Sequence, residues 1–310
     1  MNQKKVYLIA ALIGMTSAVV IIALNSFITK NQPGKAQNDA YREVITEKYR
    51  IFSMPIPESA DFAGEVVPLD QSDIREKFDR EMLVNAYWHS NTLLAIKRAH
   101  RWFPVIEPIL SANNIPDDFK YLALIESGLT NAVSPAGATG FWQFLDVTGK
   151  EFGLEINDQV DERYHIEKST QAACRYLRNA YDKYGSWALA AASYNMGIAG
   201  PQRQIDRQQQ GKYWDLLLNE ETSRYVFRII AMKEIVNHAD RYGFVIRPSD
   251  LYEPFRYETV SVDSSISNVA DFANGYKVSY KDLKIYNPWL RENFLKNKDR
   301  KQYEIKIPIQ

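Results

Sequence analysis

Among the carboxylates of this sequence, Glu126 has the setting that acid–base chemistry would use. It follows Phe119, Leu122 and Ala123 at the i, i+3, i+4, i+7 spacing, so all four fall on one face of a helix. Phe119, Tyr121, Leu122, Ala123, Leu124 and Ile125 are apolar almost all the way round, which predicts a buried helix. Glu126 also stands at the C-terminal end of that helix, where the dipole disfavours negative charge. Burial and dipole both favour the neutral carboxyl and predict a raised pKa. A carboxyl that keeps its proton near neutral pH can serve as a general acid. A helix-end glutamate that simply points into water is the alternative, and spacing alone leaves both open.

No other chemistry-bearing residue type has a comparable setting. The single cysteine, Cys174, can form no intramolecular disulfide, and its neighbours Ala172, Ala173, Tyr176 and Leu177 suit a small core residue. The four histidines, His89, His100, His165 and His238, show no pairing with that thiol and no metal-ligand spacing such as HExxH. No metal and no cofactor is expected. Lysine plus arginine and aspartate plus glutamate both total 38, so the formal charge is zero and the basic excess of a nucleic-acid binder is missing. At 310 residues and 45% hydrophobic, the chain can bury a sizeable core, in about two domains.

The elements that must position Glu126 read as helices. Pro116, with Asp117 and Asp118, begins its own helix, because proline needs no amide partner and the acids meet the positive dipole end. Gly128 ends that helix as a C′ residue. Upstream, Asp73 to Ala112 carries helical spacing and is expected to break at Pro104 and Pro108. Downstream, Ser169 can cap a helix with Ala173, Tyr176, Leu177, Ala180, Tyr181 and Tyr184 on one stripe, ended by Gly185. Ser186 can cap the next, WALAAASYN, whose alanines allow close helix approach. Thr222 is expected to begin another, through Tyr225, Ile229 and Ile230. Asp146 reads as a further helix cap, and no stretch here alternates with period two. The fold class is mainly α.

Four strings fall in order: ALIESGL at 123–129, SPAGATGFWQF at 134–144, AASYNMG at 191–197 and ETSRYV at 221–226. Together they resemble the soluble-lytic-transglycosylase type domain of the lysozyme-like superfamily, over roughly residues 100–240. The resemblance implies Glu126 as catalytic acid and then base, with Ser127 completing the Glu-Ser pair. It also implies substrate contacts from Gly140 and Gln143, from Tyr194 and Asn195, and from Tyr225. Phe141 and Trp142 depart from the family's Gly-Leu-Met-Gln type pattern, and Ser193 replaces its alanine. The implied reaction cuts the bond between N-acetylmuramic acid and N-acetylglucosamine without water and leaves 1,6-anhydromuramic ends. A hydrolytic muramidase on the same fold and a non-catalytic peptidoglycan-binding protein are the alternatives. The implied partner is the peptidoglycan glycan strand, with no nucleic acid and no partner protein.

Two further regions flank this domain. Lys4 and Lys5 precede an uncharged, mostly apolar run from Val6 to Ile28, closed by Lys30 and long enough to cross a bilayer. Residues 1–30 are therefore expected to be a transmembrane anchor, or a signal segment, with the remainder facing the periplasm. Residues 31–70, interrupted by Pro33, Gly34, Pro55, Pro57 and Pro68, read as a linker, and 71–248 as the catalytic domain. Over 255–310, Tyr257–Val262 alternates like a strand, Ile266 to Phe272 and Tyr280 to Tyr286 read as helices, and Tyr303–Pro308 closes as a strand. This βααβ order is similar to a LysM module, a family that binds N-acetylglucosamine-containing glycans. Its Gly-Asp-Thr-Leu opening is replaced by Val262-Asp263-Ser264-Ser265-Ile266, so a module that only packs on the catalytic domain is the alternative.

Overall fold

The computed structural model describes residues 51–309. The expected anchor at 1–30 and the first half of the linker, 31–50, lie outside the described residues. Among the described residues no helix is long and apolar enough to cross a membrane.

The described chain opens with a small antiparallel hairpin, β1 (Asp61–Phe62) and β2 (Glu65–Val66). Phe62 is fully buried, its ring edge-on to Phe119 at 5.2 Å, and Val67 and Leu69 follow it into the core. The linker expected over 31–70 thus stops before the hairpin, because strands of two residues are too short to show a period. Glu65 also caps a distant helix, accepting from Ser186 Oγ at 2.9 Å and from the Trp187 amide.

Helices α1 (Ser72–Tyr87) and α2 (His89–Ala112) meet at Trp88, where Thr92 Oγ1 donates to Asn85 O at 2.6 Å. The break expected at Pro104 and Pro108 does not occur, and both prolines lie inside α2. They are exposed, so water can serve the carbonyls they orphan, while Phe103, Ile106 and Leu110 hold the opposite face in the core. Helix α3 (Phe119–Ser127) starts later than Pro116, after a turn in which the Phe119 amide bonds Pro116 O at 3.1 Å. It ends at Gly128, whose φ of 59° is the left-handed value that suits glycine.

Next come α4 (Asp146–Glu151), α5 (Ile166–Tyr184), α6 (Trp187–Met196), α7 (Gly200–Gln208) and α8 (Glu220–Asn237). Ser186 caps α6 as expected, accepting from the Leu189 amide at 3.2 Å. The other expected caps move. Asn219, not Thr222, caps α8 by accepting from the Thr222 amide at 2.8 Å. Ser169 lies a turn inside α5, bonded to Ile166 O, and Asp146 is the first residue of α4, paired with Lys150 at 2.8 Å.

Helix α8 is the centre of the packing, lying against α1, α3 and α6. Its Tyr225, Val226, Ile229, Ala231 and Ile235 are fully buried, as are Ala188 and Ala190 to Ala192 of α6. The small alanine side chains let the helices approach closely, and α6 in turn packs on α5.

The C-terminal part is β3 (Tyr257–Val262), α9 (Val269–Gly275), α10 (Tyr280–Tyr286) and β4 (Tyr303–Pro308). The two strands pair antiparallel from Tyr257 with Pro308 to Val262 with Tyr303. The first helix starts three residues later than expected, because Ile266 bridges Leu295 and Asn268 caps α9. A mainly helical domain followed by a βααβ module is the architecture expected of this sequence.

Candidate active site

Glu126 occupies the last turn of α3 and is half-buried. Tyr225, fully buried on α8, donates its hydroxyl to Glu126 Oε1. Burial pushes the Glu126 carboxyl above the usual carboxylate range, opposed by the Tyr225 hydrogen bond and by the nearby Arg228 guanidinium, with Glu221 adding a smaller upward push. Burial likewise pushes the Tyr225 and Tyr194 hydroxyls well above the usual phenol range, with the Glu126 charge adding to it. Tyr225 therefore stays a donor, and Glu126 is a carboxyl inclined to keep its proton.

Glu126, Gln143, Tyr194 and Asn195 line one basin of about 400 Å³, together with Glu221 and Phe144. Gln143 reaches it from the loop after α3, with a left-handed φ of 49° that costs energy in a residue with a Cβ. Both its amide hydrogens are used, on Ala132 O at 3.0 Å and Gly140 O at 2.8 Å. What it can offer a ligand is its amide oxygen. Tyr194 donates to Trp142 O at 2.7 Å, and Asn195 donates to Glu221 Oε1 at 3.1 Å while accepting from Thr222 Oγ1 at 2.7 Å.

Tyr225, expected as a substrate contact, is fully buried and bonds Glu126 instead of lining the basin, and two further expected site residues stand elsewhere. Ser127 donates to Ala123 O at 3.2 Å and to Phe141 O at 2.9 Å, which ties the loop to α3. Gly140 faces the backbone of Arg163, where an added Cβ would lie 2.1 Å from the carbonyl oxygen, at a φ of 81°. It makes room for a close backbone approach rather than for a ligand. The intervening Phe141 and Trp142 are core residues, Phe141 edge-on to Trp102 at 5.0 Å and Trp142 bonded to Thr170 at 2.9 Å.

Glu221 was missed as a site residue, although it lies four residues before Tyr225 on the same helical face. Cys174 is buried, and burial raises its thiol to about 12, too high for a nucleophile at neutral pH. Among the described residues no three His, Cys, Asp or Glu side chains converge as metal ligands.

Residues 104–217 match the family model of the transglycosylase SLT domain, and residues 258–310 match that of the soluble lytic transglycosylase C-terminal LysM-like domain. The chain carries an SLT domain followed by a LysM-like domain. It is similar to membrane-bound lytic murein transglycosylase D of Escherichia coli strain K12 and to the protein of that name in Escherichia coli O6:H1 strain CFT073. Each is 28% identical over 228 residues, covering 72% of this chain and 49% of the relative. The chain thus spans about half the length of the curated relatives it matches. The SLT match includes Glu126, Gln143, Tyr194 and Asn195, and it ends before Tyr225.

The LysM-like domain docks on the SLT domain next to the site. The Asp161 amide donates to Trp289 O at 2.9 Å and the Arg291 amide to Gln159 O at 2.8 Å. The Arg291 guanidinium lies 4.1 Å from the Tyr164 ring centre. Within the same SLT loop, Arg163 pairs with Asp161 at 2.7 Å and donates to Gly137 O at 3.2 Å and Phe144 O at 3.3 Å. One loop therefore joins the LysM-like domain to the segment that carries Gln143.

Proposed function

We propose that this chain cuts the glycan strands of peptidoglycan by lytic transglycosylation, with Glu126 as the single acid and base. The observation that carries the reading is the Tyr225 hydroxyl on a half-buried Glu126 at the wall of a basin, where burial pushes the carboxyl above its usual range. The SLT match and the relatives' printed activity support it. In the first step Glu126 gives its proton to the glycosidic oxygen, and the C1–O bond breaks as the neighbouring sugar leaves with that oxygen as a hydroxyl. The carboxylate, now steadied by Tyr225 and Arg228, takes the proton of the sugar's own C6 hydroxyl. O6 then bonds to C1, giving the 1,6-anhydro end. Gln143, Tyr194 and Asn195 are the proposed sugar contacts of this basin. Ser127 and Gly140, the other two positions matched to the family, support the loop instead.

Hydrolysis is the second reading, and Glu221 is the observation that favours it. It lines the same basin, held by Asn195, where a carboxylate could direct water. Mass analysis of digested peptidoglycan separates the two, since anhydromuramic ends support transglycosylation and reducing muramic ends overturn it. Glu126→Gln is expected to abolish cutting of either kind while the fold persists. A variant that clears peptidoglycan as fast as wild type would defeat Glu126 as the acid, and a wild-type chain that clears none would defeat the enzyme reading.

On this reading the chain works at the bacterial cell envelope, facing the periplasm and held to the membrane by residues 1–30. The apolar run of that segment and the relatives' membrane-bound description support it. Mass spectrometry of the mature N-terminus tests it, and a start beyond Ser26 would overturn the anchor.

A further inference from the structure

Glu126 lines two basins. Besides the one with Gln143 and Tyr194 there is a second, of about 410 Å³, walled by α1, α2, the end of α3 and α8. Its lining is rich in guanidinium groups. Arg98, Arg224 and Arg228 all reach it, each half-buried, with Trp88, 58% exposed, among its lining residues.

The three arginines are not equivalent. Arg224 has carboxylate partners, Glu81 at 2.8 Å and Glu220 at 2.7 Å. Arg98 and Arg228 form no ion pair among the described residues, where each donates one N–H to a carbonyl at the end of α3. Arg98 Nη1 bonds Gly128 O at 3.2 Å, and Arg228 Nη2 bonds Ile125 O at 3.2 Å. The negative end of the α3 dipole favours both cations there. Yet each guanidinium has five N–H donors, so most of its hydrogen-bonding capacity remains for whatever enters the basin. Guanidinium groups bind carboxylates through paired, parallel hydrogen bonds, and two of them side by side form an anion receptor.

We propose that this second basin, whose lining includes Glu126 but not Gln143, binds a carboxylate carried by the glycan strand. The assignment rests on the strand-cutting reading above. The sugar rings of that polymer are uncharged, and its carboxylates are those of the peptide, or of the muramic lactyl group where the peptide has been removed. Capture of such a group beside Glu126 makes the charge of the strand, and not only its sugars, a determinant of which bond is presented.

The test uses the detergent-solubilised full chain and three substrates. They are intact peptidoglycan, peptidoglycan with its carboxyls amidated, and strands stripped of peptide by an amidase, which carry free lactyl carboxylates. Binding is read by co-sedimentation in the non-cutting Glu126→Gln background, so it does not depend on turnover. Intact material is expected to bind about tenfold more tightly than amidated material, as one or two charge-assisted contacts would give. Arg98→Gln, which keeps an N–H for Gly128 O, is expected to collapse that preference, while Arg300→Gln on the LysM-like domain keeps it. Stripped strands that bind like intact ones show that a free lactyl carboxylate also fills the basin, and stripped strands that bind like amidated ones restrict it to the carboxylates of the peptide. Equal binding of intact and amidated material, or a preference that survives Arg98→Gln, overturns the proposal. A wild-type chain that cuts none of the substrates, with the binding preference intact, would overturn the enzymatic reading alone.

Discussion

Val160 of the SLT domain sits inside the hydrophobic core of the LysM-like domain, bridged antiparallel to Leu290 and 1% exposed. Three residues further along, Arg163 holds Gly137 O and Phe144 O, and its own carbonyl lies against Gly140. The LysM-like domain therefore grips the same loop that supports the Gln143 segment. The LysM-like domain is thus packed on the SLT domain through this loop.

Val160→Asp is expected to destabilise the chain by about 3 kcal/mol, since it buries an unpaired carboxylate in an apolar core. Turnover on peptidoglycan is expected to fall with it, through the Arg163 contacts. Urea unfolding and kcat measured on one preparation check both. Loss of stability with undiminished kcat would show that the docked loop does not support the site.

Tyr225→Phe removes the hydrogen bond that opposes burial at Glu126. The Glu126 pKa then rises further. Because the first step needs the protonated acid, the high-pH limb of the rate profile is expected to move to higher pH. Turnover is expected to fall about tenfold or more, as the carboxyl loses its orientation. A limb that stays in place or moves to lower pH would refute this role for Tyr225.

The features of the site that local sequence carries were legible. The stripe Phe119, Leu122, Ala123, Glu126 is a period that any helix imposes, and Gly128, Gly185 and Ser186 end or start helices through their own chemistry. Pro104 and Pro108 misled because the packing of Phe103, Ile106 and Leu110 overrides a local breaker on an exposed face. Asn219 and Thr222 are both good cap types three residues apart, and only the observed hydrogen bond chooses between them. The Arg98 and Arg228 approach to the end of α3, and the entry of Val160 into the other domain, join segments far apart in the chain. No periodicity records such contacts.

Glu126 also bears on stability, with a definite sign. Its folded-state pKa is raised above the unfolded value, so its stabilising contribution is full below the unfolded pKa and is lost as pH rises through the folded pKa. Above that point the wild type carries a half-buried charge that Glu126→Gln lacks. The variant is expected to be more stable than wild type at pH 8, by about 2–4 °C in Tm for each ~1 kcal/mol, with the gap narrowing toward pH 4. Thermal unfolding at the two pH values measures it. A gap that widens on acidification would contradict the burial argument.

The opposite sign holds at Glu167, on the SLT side of the domain junction. Burial alone would raise this carboxyl, but His165 at 3.1 Å and Lys306 of β4 at 2.5 Å outweigh it and hold it down at about 2. A depressed folded pKa contributes stability that is present above the unfolded value and lost as pH falls through the folded one. The window therefore runs from about 4.3 down to about 2. Glu167→Gln is expected to cost about 1–3 kcal/mol at pH 7, because it leaves Lys306 without its carboxylate partner at the junction. The difference from wild type is expected to shrink across that window, as protonation removes the same pair from the wild type. Urea midpoints of both chains at pH 7, 4 and 3 test it, and a difference that does not change between pH 7 and pH 3 would exclude the ion pair as its source.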